Sequence, residues 1–400
     1  MRTEASLVLG AVGDVLMHGA VKDCAASHRP PPGAPGAELE GYDWLYAQVG
    51  DLLSQPDLTF ANLETPIAPA AGKGSRPFVF NAPPAAARAL RRAGVGLVSV
   101  ANNHLFDQGR DGFLETLAQL DGVGLRYVGA GPSPGEAGPR RIEINGLSLA
   151  FLAWSRFFNE RGNDCPATPG PCLRAALLDA EGAVAAVRAA AAQAEAVVVS
   201  LHWGEEYASQ PRAEDVALAH RIADAGALVV LGHHPHVLQP IELYRRADGQ
   251  VALIAYSLGN FISNQSRRYV HGVTPERTAA TRDGVLLRVE LARRDYGRGV
   301  RRVELASVDY LPLWTENDTV DLDRRRDSRA RPSIRVVSID RSLAQVRAEL
   351  ARFPDPIPAP EQARFVELRQ RERLYLARRA AIAAVVGDDF QAEPPAARPR

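Results

Sequence analysis

The sequence predicts an α/β protein with ligand-binding groups at its strand ends, and three observations carry that prediction. Short β-rich apolar runs recur along the chain, at residues 7–12, 58–63, 95–101, 196–201 and 225–231, each of strand rather than helix length. Segments of helical spacing follow some of them, such as residues 113–120 and an Ala-rich stretch that Asp179 is placed to cap. Each strand-like run also leads into a cluster of polar side chains, the position at which open α/β sheets hold ligands.

The strongest cluster is Gly232-His233-His234-Pro235-His236, three imidazoles within four residues at the end of an apolar run. Burying them there is costly unless something binds them. Imidazole is the commonest metal ligand, and a His-x-His pair can direct two rings into one cavity. The N-terminal run leads into Gly13-Asp14, with His18 four positions on. Asp14 at that point serves either as a ligand or as the cap of the next helix. The run at 58–63 ends in Asn62 and Glu64, which share one side of an extended backbone. Residues 95–101 lead to Asn102-Asn103-His104 and Asp107, on a strand-to-helix turn, and residues 196–201 lead to His202 with Glu206 just beyond. Asn260, in Tyr256-Ser257-Leu258-Gly259-Asn260-Phe261, borders the same region as a substrate contact or a turn cap. Five strand ends thus offer Asp, Glu, Asn and His without Cys. That hard-to-borderline set favours Mn, Fe, Zn or Mg over a structural thiolate zinc. With several His and one carboxylate able to bridge, the natural arrangement is two divalent ions.

The remaining segments are scaffold. Residues 30–36 and 131–135 are Pro/Gly loops, and residues 142–151 form a hairpin about Asn145-Gly146. The polar, acidic stretch 315–323 lacks the Gly and terminal Glu of a calcium loop and reads as surface. Residues 361–386 have helical periodicity with many charges, and 388–400, rich in Pro and Ala, reads as a disordered tail.

Composition narrows the function. The chain has 400 residues, 46% of them hydrophobic, with Lys+Arg and Asp+Glu both 47. A balanced charge provides no global field for nucleic acid or a membrane surface. Only Lys22 and Lys73 are lysines, so the scattered Arg pairs reflect a compositional preference for Arg over Lys. No apolar stretch approaches the ~20 residues of a membrane span. The first apolar run is too short for a signal peptide, so the chain as given reads as cytoplasmic or as an exported mature form. Cys165 and Cys172 flank a short Pro-rich loop and would pair only in an oxidising compartment.

Taken in order, Gly13-Asp14, Asn62-Leu63-Glu64, Ala101-Asn102-Asn103-His104 with Asp107 and Gly109, His202-Trp203-Gly204 with Glu206, Gly232-His233-His234-Pro235-His236 and Tyr256-Ser257-Leu258-Gly259-Asn260-Phe261 resemble the CapA family. These are capsule-synthesis, poly-γ-glutamate-associated proteins related to the calcineurin-like metallophosphoesterases. The resemblance covers about residues 5–315; residues 316–387 then form a partly helical extension. It implies a four-layer α/β/β/α sandwich with Asp14 and His236 on one ion, Asn103, His202 and His234 on the other, and Glu64 as the bridge. His104 stands where the family's general acid would be, and His18, Asn62, Asp107, Glu206, His233 and Asn260 surround the centre or meet substrate. Two departures are plain: the imidazole nearest Asp14 is His18 rather than the second residue on, and Glu64 is one methylene longer than the superfamily's aspartate. The implied function is a metal-dependent hydrolase acting on an anionic small molecule or polymer, in association with polymer synthesis. The competing readings are a non-catalytic, metal-containing polymer-binding or scaffold protein, and a small-molecule phosphatase outside capsule metabolism.

Overall fold

A computed structural model describes residues 2–74, 76–131, 138–160, 174–175, 177–325, 333–387 and 390. Cys165, Cys172 and nearly all of the tail beyond 387 lie outside the described residues. The strands in chain order are β1 (Arg2–Val15), β2 (Leu58–Leu63), β3 (Val95–Ser99), β4 (Arg126–Val128), β5 (Ala130–Gly131), β6 (Arg140–Ile144), β7 (Leu147–Ser155) and β8 (Arg174–Ala175). They continue with β9 (Ala196–His202), β10 (Val229–His233), β11 (Ile241–Arg245), β12 (Val251–Ala255), β13 (Asn260–Ile262), β14 (Asp283–Asp295), β15 (Arg301–Asn317) and β16 (Ile334–Ser338). Among the described residues they form one sheet in the order β16-β15-β14-β1-β2-β3-β4, with β13 also on β1, a second in the order β11-β12-β10-β9-β7-β6, and a small antiparallel pair β5-β8.

Strand alternation builds the layers. Leu7, Leu9 and Ala11 of β1, and Leu58 and Phe60 of β2, point toward the second sheet. They share an apolar cluster with Val198 of β9, Val229 and Leu231 of β10, and Leu253 of β12. The intervening residues face outward. Ala61 and Leu63 pack with Val21, Leu90 and Phe113 of helices Gly19–Ser27, Pro84–Arg92 and Gly109–Gly122. On the opposite side, Val197, Val199, Val230 and Ile254 pack with Val187 and Ile222 of helices Ala180–Ala191 and Ala213–Asp224. The result is the expected α/β/β/α sandwich, its period-two strands buried on both faces.

Local sequence signals operate as physics requires. Asn145 and Gly146 take positive φ between β6 and β7, with Ile144 opposite Leu147, as a two-residue type I′ hairpin needs. The Asp179 carboxylate accepts from the Gly182 N–H and starts the following helix, which ends at Ala191. The stretch 315–323 differs from expectation: Thr315 is buried at the end of β15, and residues Thr319–Arg325 are helical. Its neighbours Leu311, Leu313 and Trp314 supply the burial that its polar composition conceals. Helices Ile339–Leu350 and Gln362–Val386 add Leu343, Leu368, Tyr375 and Ile382 to the inter-sheet cluster.

Glycines let the strand ends close on one another. A Cβ at Gly13 would lie 2.0 Å from the Gly259 carbonyl oxygen, and one at Gly232 1.9 Å from that of Tyr256. The Asp14 N–H donates to the Gly259 carbonyl at 2.9 Å across this contact. Gly13→Ala should therefore destabilise the fold by about 1–3 kcal/mol, read as a lower midpoint in urea unfolding. Gly19→Ala, with open space around its Cβ position, should not; equal loss from both would show that the close approach is unimportant.

Candidate functional site

The sequence-derived cluster assembles at the carboxyl ends of strands from both sheets. β1, β2 and β3 run parallel in the first sheet and β7, β9, β10 and β12 in the second. Asp14 sits near the end of β1, where the pairing with β2 shifts register between Ala11 and Asp14. Such an irregularity re-aims a side chain. Glu64 follows β2, and Asn103 and His104 follow β3. His202 and His233 end β9 and β10, and Asn260 begins β13 opposite Asp14. His234 and His236 both hold positive φ, 95° and 59°, a strained setting for non-glycine residues that the flanking strands maintain.

The two carboxylates are fully buried and differ in their surroundings. Asp14 Oδ1 accepts from Asn62 Nδ2 at 2.8 Å and His233 Nδ1 at 3.1 Å. Its Oδ2 accepts from His236 Nδ1 at 3.1 Å and the His234 N–H at 3.3 Å. Burial raises its pKa, but the hydrogen bonds from His233 and His236 outweigh that and hold it well below the ordinary value. Glu64 lacks a hydrogen-bond partner at either oxygen. Burial, then the charge of Asp14, pushes its pKa well above the ordinary value.

Imidazoles converge on Glu64 from two sides. His202 Nε2 lies 3.5 Å and His236 Nε2 3.9 Å from Glu64 Oε1. Glu64, His234 and His236 form one group with ligand atoms within 4.8 Å of one another, and Asp14, Glu64 and His202 form another. His202 Nε2 also lies 2.9 Å from Asn103 Oδ1. The Nδ1 atom of His234 is buried without a hydrogen bond. Orphaned carboxylate oxygens facing imidazole nitrogens are the donor set a divalent cation satisfies, so the residues fit a metal; His234 groups with His236 and Asp14 with His202, a different division from the one the resemblance implies.

Supporting groups fix these ligand atoms. Asn260 Nδ2 faces three acceptors: Gln265 Oε1 at 2.7 Å, the Thr281 carbonyl at 2.8 Å and the His236 carbonyl at 3.3 Å. Its Oδ1 therefore faces His236 Nδ1, at 3.1 Å. The network assigns the proton to Nδ1 and leaves the Nε2 lone pair toward Glu64. Asn62 is held by Asn102, whose Nδ2 donates to Asn62 Oδ1 at 3.2 Å. His104 donates from Nδ1 to Asp107 Oδ2 at 2.8 Å, and the same oxygen takes the Phe80 N–H at 2.6 Å.

The other candidates lie farther out. His18 is the residue before helix Gly19–Ser27; its Nδ1 accepts from the Asn264 N–H at 3.3 Å, and its ring packs edge-on against Phe80. Glu206 is exposed in the turn after β9 and reaches Glu64 only through its charge. Asn102, Phe80, Gln265 and Thr281 complete the surroundings, as do Phe157 against His234 and Tyr207 near His236. Of these, only Asn102 carried a sequence signal, its place beside Asn103.

The fold and site define a two-sheet α/β sandwich with a buried histidine–carboxylate centre where the ends of both sheets meet. The chain belongs to the bacterial capsule synthesis protein family PGA_cap, whose family model matches residues 8–265. It is similar to the capsule biosynthesis protein CapA of Bacillus anthracis, 29% identical over 271 residues covering 66% of this chain and 61% of that protein. It is likewise similar to the PGA biosynthesis protein CapA of Bacillus subtilis, 31% identical over 266 residues covering 65% of this chain and 64% of that protein. A probable polyglutamine synthesis accessory protein of Mycobacterium tuberculosis is 31% identical over 201 residues, 47% of this chain and 52% of its own. The matched region thus spans less than two thirds of the length of these relatives.

Burial, then the nearby charge of His236, lowers the His18 pKa from 6.5 to about 4. The unfolded chain then binds more protons than the folded one between those values, so His18 contributes stability above about pH 6.5 that is lost as pH falls toward 4. In chelator-treated protein, the drop in urea midpoint between pH 7 and pH 5 should be smaller for His18→Gln than for wild type. An unchanged drop would remove His18 from the acid response.

Proposed function

We propose that this chain is a metal-dependent hydrolase of the metallophosphoesterase type, working in the metabolism of a capsular or poly-γ-glutamate-like polymer. Glu64 carries the reading: a fully buried carboxylate, unpartnered at both oxygens, between two ligand groups that share it. Without a cation, such a carboxylate is costly to keep charged. The link to polymer synthesis is supported by the names of the family and its relatives.

In this reading Asp14, Glu64, Asn103, His202, His234 and His236 would hold two divalent ions, Glu64 belonging to both groups of ligand atoms, with His234 and His236 in one and with Asp14 and His202 in the other. Mn, Fe, Zn and Mg all suit these donors. When bound, the ions would polarise a phosphoryl or carbonyl group and offset charge developing on it. Asp14 draws its histidine partners to one side of the centre, and Asn260 keeps the His236 lone pair facing inward. Asp107 anchors His104 through Nδ1, so it is the imidazolium form of His104 that would pass its Nε2 proton to the leaving oxygen and be left as the neutral Nδ1–H ring. Phe80, with its ring 4.5 Å from that of His104 between centroids, limits how far the imidazole can swing. The substrate is anionic, a small molecule or a polymer. Association with a polymer-synthesis complex belongs to the same reading; among the described residues no helix is long and apolar enough to cross a membrane. Residues 5–315 make up the catalytic unit in this reading and 316–387 its extension.

Protein purified without chelator should contain about two metal ions per chain and hydrolyse members of a phosphomonoester, phosphodiester and γ-glutamyl amide panel when supplied with Mn, Fe, Zn or Mg. His104→Ala should lower turnover about 10²–10⁴-fold with metal content unchanged. Equal loss of metal and turnover would remove His104 as the acid. Full metal without turnover on any substrate class would replace the hydrolase with a binding protein, and metal-free protein would end the metal reading.

A further inference from the structure

Two of the arginine pairs in this chain are engaged by the fold. Arg140 Nε donates to the Tyr127 carbonyl at 3.0 Å, and Arg141 reaches the Gln193 side chain. Arg245 donates to the Gly249 carbonyl, and Arg246 pairs with Asp248 at 2.9 Å. Arg267 and Arg268 differ from these. Both are exposed, and neither has a hydrogen-bond or ion-pair partner among the described residues. They also lie just past residue 265, where the family match ends.

Their position is set by a loop tied both to the strand-end centre and to the core. Gln265 Oε1 accepts from Asn260 Nδ2 at 2.7 Å, and Gln265 Nε2 donates to Tyr207 Oη at 3.4 Å. Tyr207 is itself exposed, its ring 6.2 Å from that of His236 between centroids. The Asn264 N–H donates to His18 Nδ1 at 3.3 Å, while Asn264 Oδ1 accepts from Asn317 Nδ2 at 2.8 Å. Ser266 Oγ lies 2.7 Å from Thr281 Oγ1, and the Ser266 carbonyl accepts the Tyr269 N–H at 2.9 Å. Arg267 and Arg268 are thus the two central residues of a hydrogen-bonded turn held at both ends, with Tyr269 buried edge-on against Trp314. Together with Asn264 and Ser266 they line an open recess of about 440 Å³.

Unpaired guanidinium groups on adjacent residues repel each other, and no carboxylate of the described residues offsets that repulsion. The backbone beneath them is fixed, so an anion that meets them orders little besides the two side chains. The planar fork of arginine suits carboxylates in particular. A ligand with one negative group uses one guanidinium; a chain with a carboxylate on every repeat can use both. A single side chain, Gln265, separates this loop from Asn260 at the centre.

We infer that Arg267 and Arg268 form an anion subsite beside the strand-end centre, which takes the free carboxylates of a γ-glutamyl chain flanking the group that reacts. The identity of the chain rests on the proposed function; the place of the subsite does not.

The test is fluorescence anisotropy of a short fluorescein-labelled γ-linked oligoglutamate with the full chain, chelator-treated so that no metal contributes. Wild type should bind it, and more weakly as salt rises. Arg267→Gln combined with Arg268→Gln should weaken binding about 3–30-fold, with an unchanged urea midpoint. Arg298→Gln combined with Arg302→Gln removes the same charge near the β14–β15 turn. There Asp295 pairs with Arg2, at the opposite end of β1 from Asp14. That control should bind as wild type does. Oligoglutamate with methylated carboxylates should not distinguish wild type from the Arg267–Arg268 variant. Wild type that fails to bind the oligomer, equal binding by the Arg267–Arg268 variant, or the same loss in the control overturns the inference. So does tighter binding of a polyphosphate of matched charge, which would assign the recess to phosphate instead. Metal-loaded wild type that hydrolyses its panel without binding the oligomer would leave the hydrolase standing without the subsite. Arginine-dependent binding with no hydrolysis would leave the subsite standing without the hydrolase.

Discussion

The central constraint on this protein is the burial of two carboxylates side by side. Asp14 and Glu64 are wholly removed from solvent, where an uncompensated charge is among the most unfavourable things a fold can contain. Asp14 is compensated internally by Asn62, His233, His236 and a backbone N–H. Glu64 is not compensated by any hydrogen bond. The neighbouring features follow from serving this pair: a register shift in β1, glycines that admit close backbone contact, and strained φ angles at His234 and His236.

Much of this was legible in the sequence because the signals were local. Strands of the interior announce themselves as short apolar runs, and the polar clusters that follow them mark the carboxyl ends of a sheet. Asn145-Gly146 and Asp179 specify a hairpin and a helix start through their own backbone chemistry. Asp14 left two roles open from sequence alone, and the structure decides against capping, since its oxygens are taken by Asn62 and the histidines. His18, by contrast, faces Asn264 and Phe80.

What escaped sequence reading was set by contacts between distant segments. Thr281 acts through its carbonyl, a group every residue carries, so no motif could single it out. Arg378 is one of many arginines in a charged helix, and only its burial against Asp283 distinguishes it. Thr315 lies in a stretch whose acidity suggests solvent, while its pairing opposite Val336 of β16 places it inside. Side chains of ordinary type become specific only when tertiary structure chooses their neighbours.

The union of two sheets at one polar seam has a consequence for how the molecule assembles. The hydrogen bonds from His233 and His236 to Asp14 join residues 219 and 222 positions apart, so they belong to the most non-local class of contact a chain can make. Each sheet alone presents an incomplete set of polar groups, and neither half can satisfy them without the other. Docking of the halves is therefore checked chemically as well as sterically: a misaligned pair leaves charged groups stranded. Any ligand that prefers the assembled seam holds the two halves together in proportion to its affinity, making occupancy of the centre a sensor of correct folding.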